Sequence, residues 1–199
     1  FHNGGRFQAV SSIQAGDDTN TAGASRVGAM RYRTGTEYVE VDGTELVANG
    51  DFATDTDWSK GTGWAIGGGT ANGTSTVEPL YQTISGFTAG NKYRVRFEVT
   101  AVTSGYIRVY CYVGASATFT NIFNSTSLTT GIYEGTFEFG GTNKVLRFYG
   151  SVASTGGFTG SIDNISVLEV TAEEASYADM CMQTGASEYK WVNIVRNTY

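Results

Sequence analysis

The sequence predicts an all-β protein: an antiparallel jelly-roll β-sandwich with a small β-hairpin domain formed by the N- and C-terminal segments. Three observations predict this. Apolar and polar residues alternate with period two in several short segments, Gly-rich turns separate those segments, and no segment of useful length carries a helical period. Composition agrees: 27 Gly, 12 Tyr and 11 Phe accompany only 16% charged residues. An average soluble chain has about 25% charged residues, and this palette is that of strands and turns. At 13% aromatic residues, general disorder is excluded.

Residues 1–27 are polar, lack a sustained period and read as an extended arm. Residues 28–44 predict a first hairpin. In it Met30-Arg31-Tyr32-Arg33 and Glu37-Tyr38-Val39-Glu40-Val41 flank the turn-like Thr34-Gly35-Thr36. Residues 45–170 form the sandwich, where the strongest alternations occur. Tyr93, Val95, Phe97 and Val99 oppose Arg94, Arg96 and Glu98; Ile107, Val109, Cys111 and Val113 oppose Tyr106, Arg108, Tyr110 and Tyr112. Phe137 and Phe139 oppose Glu134, Thr136 and Glu138, and Leu146 and Phe148 oppose Arg147 and Tyr149. Residues 171–178 predict one or two helical turns as a connector. The remainder of 171–199 predicts a second hairpin, Met180-Cys181-Met182-Gln183 returning through Thr184-Gly185-Ala186-Ser187 into Glu188-Tyr189-Lys190-Trp191-Val192-Asn193-Ile194. The two hairpins share a Thr-Gly turn and a Glu-Tyr opening, a weak internal repeat. Neither is stable in isolation.

A net charge of −6 and a pI near 4.8 argue against nucleic acid as a partner. No run of about 18 apolar residues predicts membrane insertion. The chain begins at Phe1 and not at Met, which reads as a processed or partial product. Cys111 and Cys181 fall in different predicted units, leaving two thiols or one disulfide open.

Catalysis finds little support. The single histidine is His2, and no nucleophile elbow, His/Cys metal cluster or phosphate loop occurs. Glu98, Glu134 and Glu138 are strand carboxylates that could converge for glycoside hydrolysis. The more informative set is Tyr106, Arg108, Tyr110 and Tyr112, with Arg94, Arg96, Glu98, Arg147 and Tyr149 expected to share their face. Sugar rings stack their C–H faces on aromatic planes, and their hydroxyls pair with Arg, Tyr and Glu. Such a face suits a glycan. It equally suits a protein contact, since Tyr and Arg are hot-spot residues, or a solvated face with ordinary cross-strand pairs.

The phrase Glu45-Leu46-Val47-Ala48-Asn49-Gly50-Asp51-Phe52 resembles the first strand of the galactose-binding-like jelly-roll carbohydrate-binding modules. Ser161-Ile162-Asp163-Asn164-Ile165-Ser166-Val167-Leu168-Glu169-Val170 resembles the last. The resemblance implies glycan binding on the sheet or the loop tips, and packing of Trp58 and Trp64 at the sandwich edge or against a ligand. It places Gln82 where related modules often carry a Gln, with parity pointing inward. It also implies a structural Ca²⁺ held by Asp163 and Asp51, although Ala53 stands where a further acid is expected. The alternative for Asp163 and Asn164 is backbone hydrogen bonding at the strand entrance. Residues 28–43 and the closing Cys181-Met182-Gln183-Thr184-Gly185 and Tyr189-Lys190-Trp191-Val192-Asn193-Ile194 resemble segments of bacteriophage tail-fibre, head-fibre and decoration proteins. The combined expectation is a virion-surface, extracellular adhesion protein. Its expected partners are other capsid proteins, sister copies in a trimer, and cell-surface glycans. The alternatives are a capsid cement that binds no sugar and an accessory module of a secreted glycan-degrading enzyme.

Overall fold

The computed structural model of the chain describes residues 21–113, 118–124, 128–141, 143–151 and 157–198. Apart from one turn of 3-10 helix at Ala24–Arg26, its regular structure is β. The strands are β1 (Met30–Glu45), β2 (Ser59–Lys60), β3 (Trp64–Ile66), β4 (Ala71–Thr76), β5 (Pro79–Thr83) and β6 (Lys92–Ser104). They continue as β7 (Tyr106–Val113), β8 (Thr118–Asn124), β9 (Gly131–Glu138), β10 (Val145–Ser151), β11 (Phe158–Gly185) and β12 (Glu188–Thr198). The described residues divide into two compact units, one within 39–171 and one made of 21–38 with 172–198.

The larger unit is an antiparallel sandwich. One sheet runs β3-β4-β11-β6-β9 and the other β2-β5-β10-β7-β8. The predicted alternations set the inner faces: Tyr93, Val95, Phe97, Val99 and Phe137 are buried in the first sheet. Leu80, Ile107, Val109, Cys111, Leu146 and Phe148 are buried in the second. Across the interior, the Phe97 and Phe148 rings meet edge-on at 5.4 Å, and Trp58 meets Phe148 at 6.1 Å. Such pairs add about 0.5–1.5 kcal/mol each beyond area burial. Phe87 closes one end by packing on Tyr93, Phe137 and Phe139.

The chain changes sheet between β6 and β7 in a single residue, Gly105. Its φ of +74° lies in the left-handed region, and a Cβ there would stand 2.7 Å from the Phe158 Cα. Only glycine fits this crossing.

Part of the predicted opening strand is not a strand. Residues 46–52 follow β1 as a loop in which Asn49 (φ +51°) and Phe52 (φ +48°) interrupt the extended run. The loop is tied to the closing strand by Glu45. Its Oε1 accepts from the N–H groups of Val47 (2.9 Å) and Val167 (2.8 Å), and its Oε2 accepts from the Ser166 hydroxyl (2.6 Å).

In the smaller unit β11 is flanked by β1 and β12. The C-terminal hairpin is present, with Gly185 paired to Glu188. The N-terminal hairpin is not: Thr34-Gly35-Thr36 continues β1 without a turn. Two β-branched threonines favour extension, and Gly35 lies beside the Tyr177 ring at ordinary contact distance, with no left-handed backbone to start a turn. The predicted helical turns at 171–178 are likewise part of β11, paired from Ala175 onward with β12. Their Ala and Glu content favours helix. Burial of Ala175, Tyr177, Asp179 and Cys181 at period two overrides it.

One face of this sheet carries a polar cluster. Asp179 is 1% exposed, and its carboxylate accepts from Arg31 Nε (3.0 Å), Arg33 Nε (2.8 Å) and Asn193 Nδ2 (3.1 Å). The Arg33 guanidinium covers the Tyr177 ring at 3.7 Å and Arg31 covers Trp191 at 4.6 Å. The Tyr177 hydroxyl donates to Glu37. Burial pushes the Asp179 carboxyl up, but its hydrogen bonds from Arg33, Asn193 and Arg31 outweigh burial and hold it below the ordinary aspartate value. A depressed folded-state pKa stabilises above the unfolded value of about 3.9, and that contribution is lost as pH falls through the folded value. Amide-exchange protection in β12, corrected for intrinsic rates, is therefore expected to hold from neutral pH down to about 5 and to fall below about 4. Asp179→Asn is expected to remove roughly 2–3 kcal/mol of that protection at neutral pH. That lies below the range for fully enclosed pairs, because the arginines keep access to water.

Candidate functional site

Because β6 and β7 lie in different sheets, the outward residues predicted to share one face are divided between the two outer faces of the sandwich. Arg94, Arg96 and Glu98 belong to the first sheet; Tyr106, Arg108, Tyr110, Arg147 and Tyr149 belong to the second. Alternation reports which way a side chain points relative to its own strand and says nothing of which sheet that strand joins. Tyr112 lies in β7, and its side chain is outside the described residues.

On the second sheet the register makes two rows. Arg147 stands between Tyr81 and Tyr110, and Tyr149 stands opposite Arg108. The Arg147 guanidinium lies 5.3 Å from the Tyr81 ring centre, and its Nη1 donates to the Tyr149 hydroxyl at 3.3 Å. Tyr110 and Tyr149 meet edge-on at 5.8 Å. Arg108 lies 5.2 Å above the Tyr106 ring and donates to its hydroxyl at 2.8 Å. Tyr106 itself is only 5% exposed, so it supports Arg108 and offers no stacking surface. Burial alone would lower the Arg108 pKa, but hydrogen bonds and charge interactions with Tyr110 and Tyr106 overturn that and leave it raised. The Arg108 Nε–H is buried and meets no acceptor among the described residues. This face therefore presents half-buried tyrosine rings and two ordered cations.

The first sheet carries a cleft of about 450 Å³ on its outer side, lined by Glu45, Asp51, Arg96, Glu98, Ile132 and Asn164 among others. The Glu98 carboxylate accepts from Asn164 Nδ2 at 2.9 Å. Arg94 is held in an ion pair with Glu40. Of the strand carboxylates, Glu98 and Glu134 are diagonal neighbours on this face, with Glu134 opposite Arg96, while Glu138 lies further along and pairs with Lys92 at 2.9 Å.

Asp163 Oδ1 accepts from the Asn164 N–H at 2.7 Å, and Asp51 Oδ1 accepts from Ala53 N–H at 3.4 Å. No group of three or more His, Cys, Asp or Glu with metal-binding geometry occurs among the described residues. Trp58 and Trp64 are core residues. Both are buried, and their indole N–H groups donate to the carbonyls of Asn49 (3.0 Å) and Glu78 (2.8 Å). Gln82 is a buried amide: Oε1 accepts from Ala48 N–H (2.9 Å), while Nε2 donates to the carbonyls of Ala48 (2.9 Å) and Asp57 (3.2 Å). Cys111 and Cys181 are buried thiols, not a disulfide.

Sequence reasoning missed two residues of these surfaces. Tyr81 was signalled by parity, since inward Leu80 and Gln82 turn it outward. Glu45 had no signal, because its partner strand lies some 120 residues away.

No family model matches the chain. No curated protein matches it either. Among similar solved structures, one titled "CBM4 structure and function" aligns with 63% of this chain and 97% of its own, at 19% identity and a TM-score of 0.32. That score is too low to bear on the assignment, and the sandwich rests on its own strand pairing.

Replacing Gln82 by Met leaves the Ala48 N–H and the Ala48 and Asp57 carbonyls without this partner. The cost is expected to be about 2–3 kcal/mol, read as a fall of roughly 5–10 °C in melting temperature. An unchanged melting temperature would show that the 48–57 loop does not depend on this amide.

Proposed function

We propose that this chain is a non-catalytic surface protein of a virion, a capsid decoration protein or fibre, which displays its sandwich for adhesion to glycans. The observation that carries the glycan part is the ordered outer face of the second sheet. Tyr81, Tyr110 and Tyr149 provide ring planes, and the Arg108 and Arg147 guanidinium groups are already positioned by phenol hydroxyls and rings. Fixing the donors beforehand lowers the ordering cost of binding. The virion context is supported by the likeness of the terminal strand phrases to phage fibre and decoration segments. In that context the partners are other capsid proteins and sister copies. The acidic net charge of −6 favours neither nucleic acid nor an anionic membrane.

A second reading, a capsid cement that binds no sugar, uses the same face as a protein contact, because ordered Tyr and Arg are also hot-spot residues. Glycan-array binding by the intact protein, compared with Tyr110→Ala/Arg147→Ala, separates the two readings. Adhesion predicts binding that the double variant loses by at least about tenfold, or roughly 1.4 kcal/mol. Absence of binding by the wild type, with this face covered in the particle, favours cement.

A structural calcium ion belongs to the same proposal. Asp51 and Asp163 would supply carboxylate oxygens, and main-chain carbonyls would complete a shell of about 6–8. Its expected signature is a lower melting temperature in chelator that is restored by added calcium. A melting curve indifferent to both removes the ion.

A further inference from the structure

Among the described residues, the smaller unit is a single layer with unlike faces. Arg31, Arg33, Asp179, Tyr177 and Trp191 cover one side of the β1-β11-β12 sheet with the polar cluster. Period two places Met30, Tyr32 and Tyr38 of β1 and Met182 of β11 on the other side. In β12 the register shift opposite Ala178/Asp179 keeps Asn193 and Arg196 with the polar cluster and leaves Ile194 and Val195 on that other side. These six side chains are 41–57% exposed. A sheet with an apolar face is stable when a second layer covers it, and an uncovered patch of this kind marks an interaction site.

We propose that this face is an interface between copies of the chain, formed by the same face of a sister copy. Two observations favour a sister copy over a different partner. The first is charge: the six residues are uncharged, and the charged residues on the same side, Lys190 opposite Met182 with Glu188 and Glu174, carry both signs, Lys190 and Glu188 lying 3.9 Å apart, so like faces meet without a single-sign repulsion. The second is area. Six large side chains at about half exposure leave on the order of 500 Å² of apolar surface. A stable interface buries about 800 Å² per partner, of which roughly 60% is apolar. The face, and not the free strand edges, is what associates. This deepens the sister-copy part of the proposed function and is independent of glycan binding.

The test is sedimentation of the full chain, with Tyr32→Lys and Val195→Lys as separate variants. The wild type is expected to sediment as two copies at about 10 μM and to dissociate on dilution. Each variant is expected to shift to monomer by at least about tenfold in dissociation constant, with the sandwich's near-ultraviolet circular dichroism unchanged. As a check that needs no substitution, peroxide oxidation of Met30 and Met182 in the wild type is expected to slow several-fold in the associated state. A wild type that stays monomeric at about 100 μM overturns both this proposal and the sister-copy reading. An oligomer that persists in both folded variants, or methionines oxidised equally at all concentrations, overturns the face alone.

Discussion

The apolar contact between the two inner sheet faces, centred where Phe97 meets Phe148, is the constraint from which the surfaces follow. A strand has two sides, and committing one to this interior commits the other to the outside. With Val95, Phe97 and Val99 inward, Arg94, Arg96 and Glu98 must emerge on the first sheet. With Ile107, Val109 and Cys111 inward, Arg108 and Tyr110 must emerge on the second. A one-residue slip in either strand would bury arginine and expose phenylalanine or valine. Burial of a Val or Phe side chain is worth about 1.5–3 kcal/mol, and an unpaired charge in its place costs more. Both outer faces are thus held in register by residues buried between the sheets.

The strands were legible where this constraint acts and illegible where it does not. The alternations around Phe97, Val109, Phe137 and Phe148 appear in the structure as read, as do the inward Gln82 and the buried Trp58 and Trp64. Sheet membership was not legible, because it is decided at Gly105 by backbone that leaves no period in the sequence. Residues 171–178 show the same limit from the other side. Ala and Glu prefer helix by a few tenths of a kcal/mol per residue, a preference too small to withstand pairing with β12 and burial of Tyr177. Thr34-Gly35-Thr36 looked like a turn for its glycine, yet the segment runs extended within β1. Glu45 joins positions distant in sequence through side-chain oxygens and backbone N–H groups, a relation that no local pattern records.

The two units solve the burial problem by different chemistry. The sandwich encloses aromatic rings between two layers. The smaller unit has one layer, and on its covered side the rings of Tyr177 and Trp191 lie beneath guanidinium groups anchored on a buried carboxylate. Such an ionic arrangement gives less net stability than apolar packing, because desolvation offsets much of the attraction. It does specify geometry: Arg31, Arg33 and Asn193 come from both flanking strands and converge on Asp179, which fixes the register of β1 and β12 against β11. A slipped strand would strand a buried charge.

That difference bears on adhesion. A face of half-buried tyrosines with two arginines is suited to weak, reversible contacts with sugars, since each ring or hydroxyl contributes little beyond what water already offers. One such face makes a poor anchor. Joining copies through the apolar side of the smaller unit multiplies the faces without altering any of them. Once one face is bound, the others act at an effective concentration set by their tether, and avidity rises by a factor of about 10²–10⁴ when the geometry permits simultaneous engagement. On the proposed function, an apolar surface on one unit and an ordered polar one on the other would answer a single requirement: firm attachment built from contacts that are individually weak.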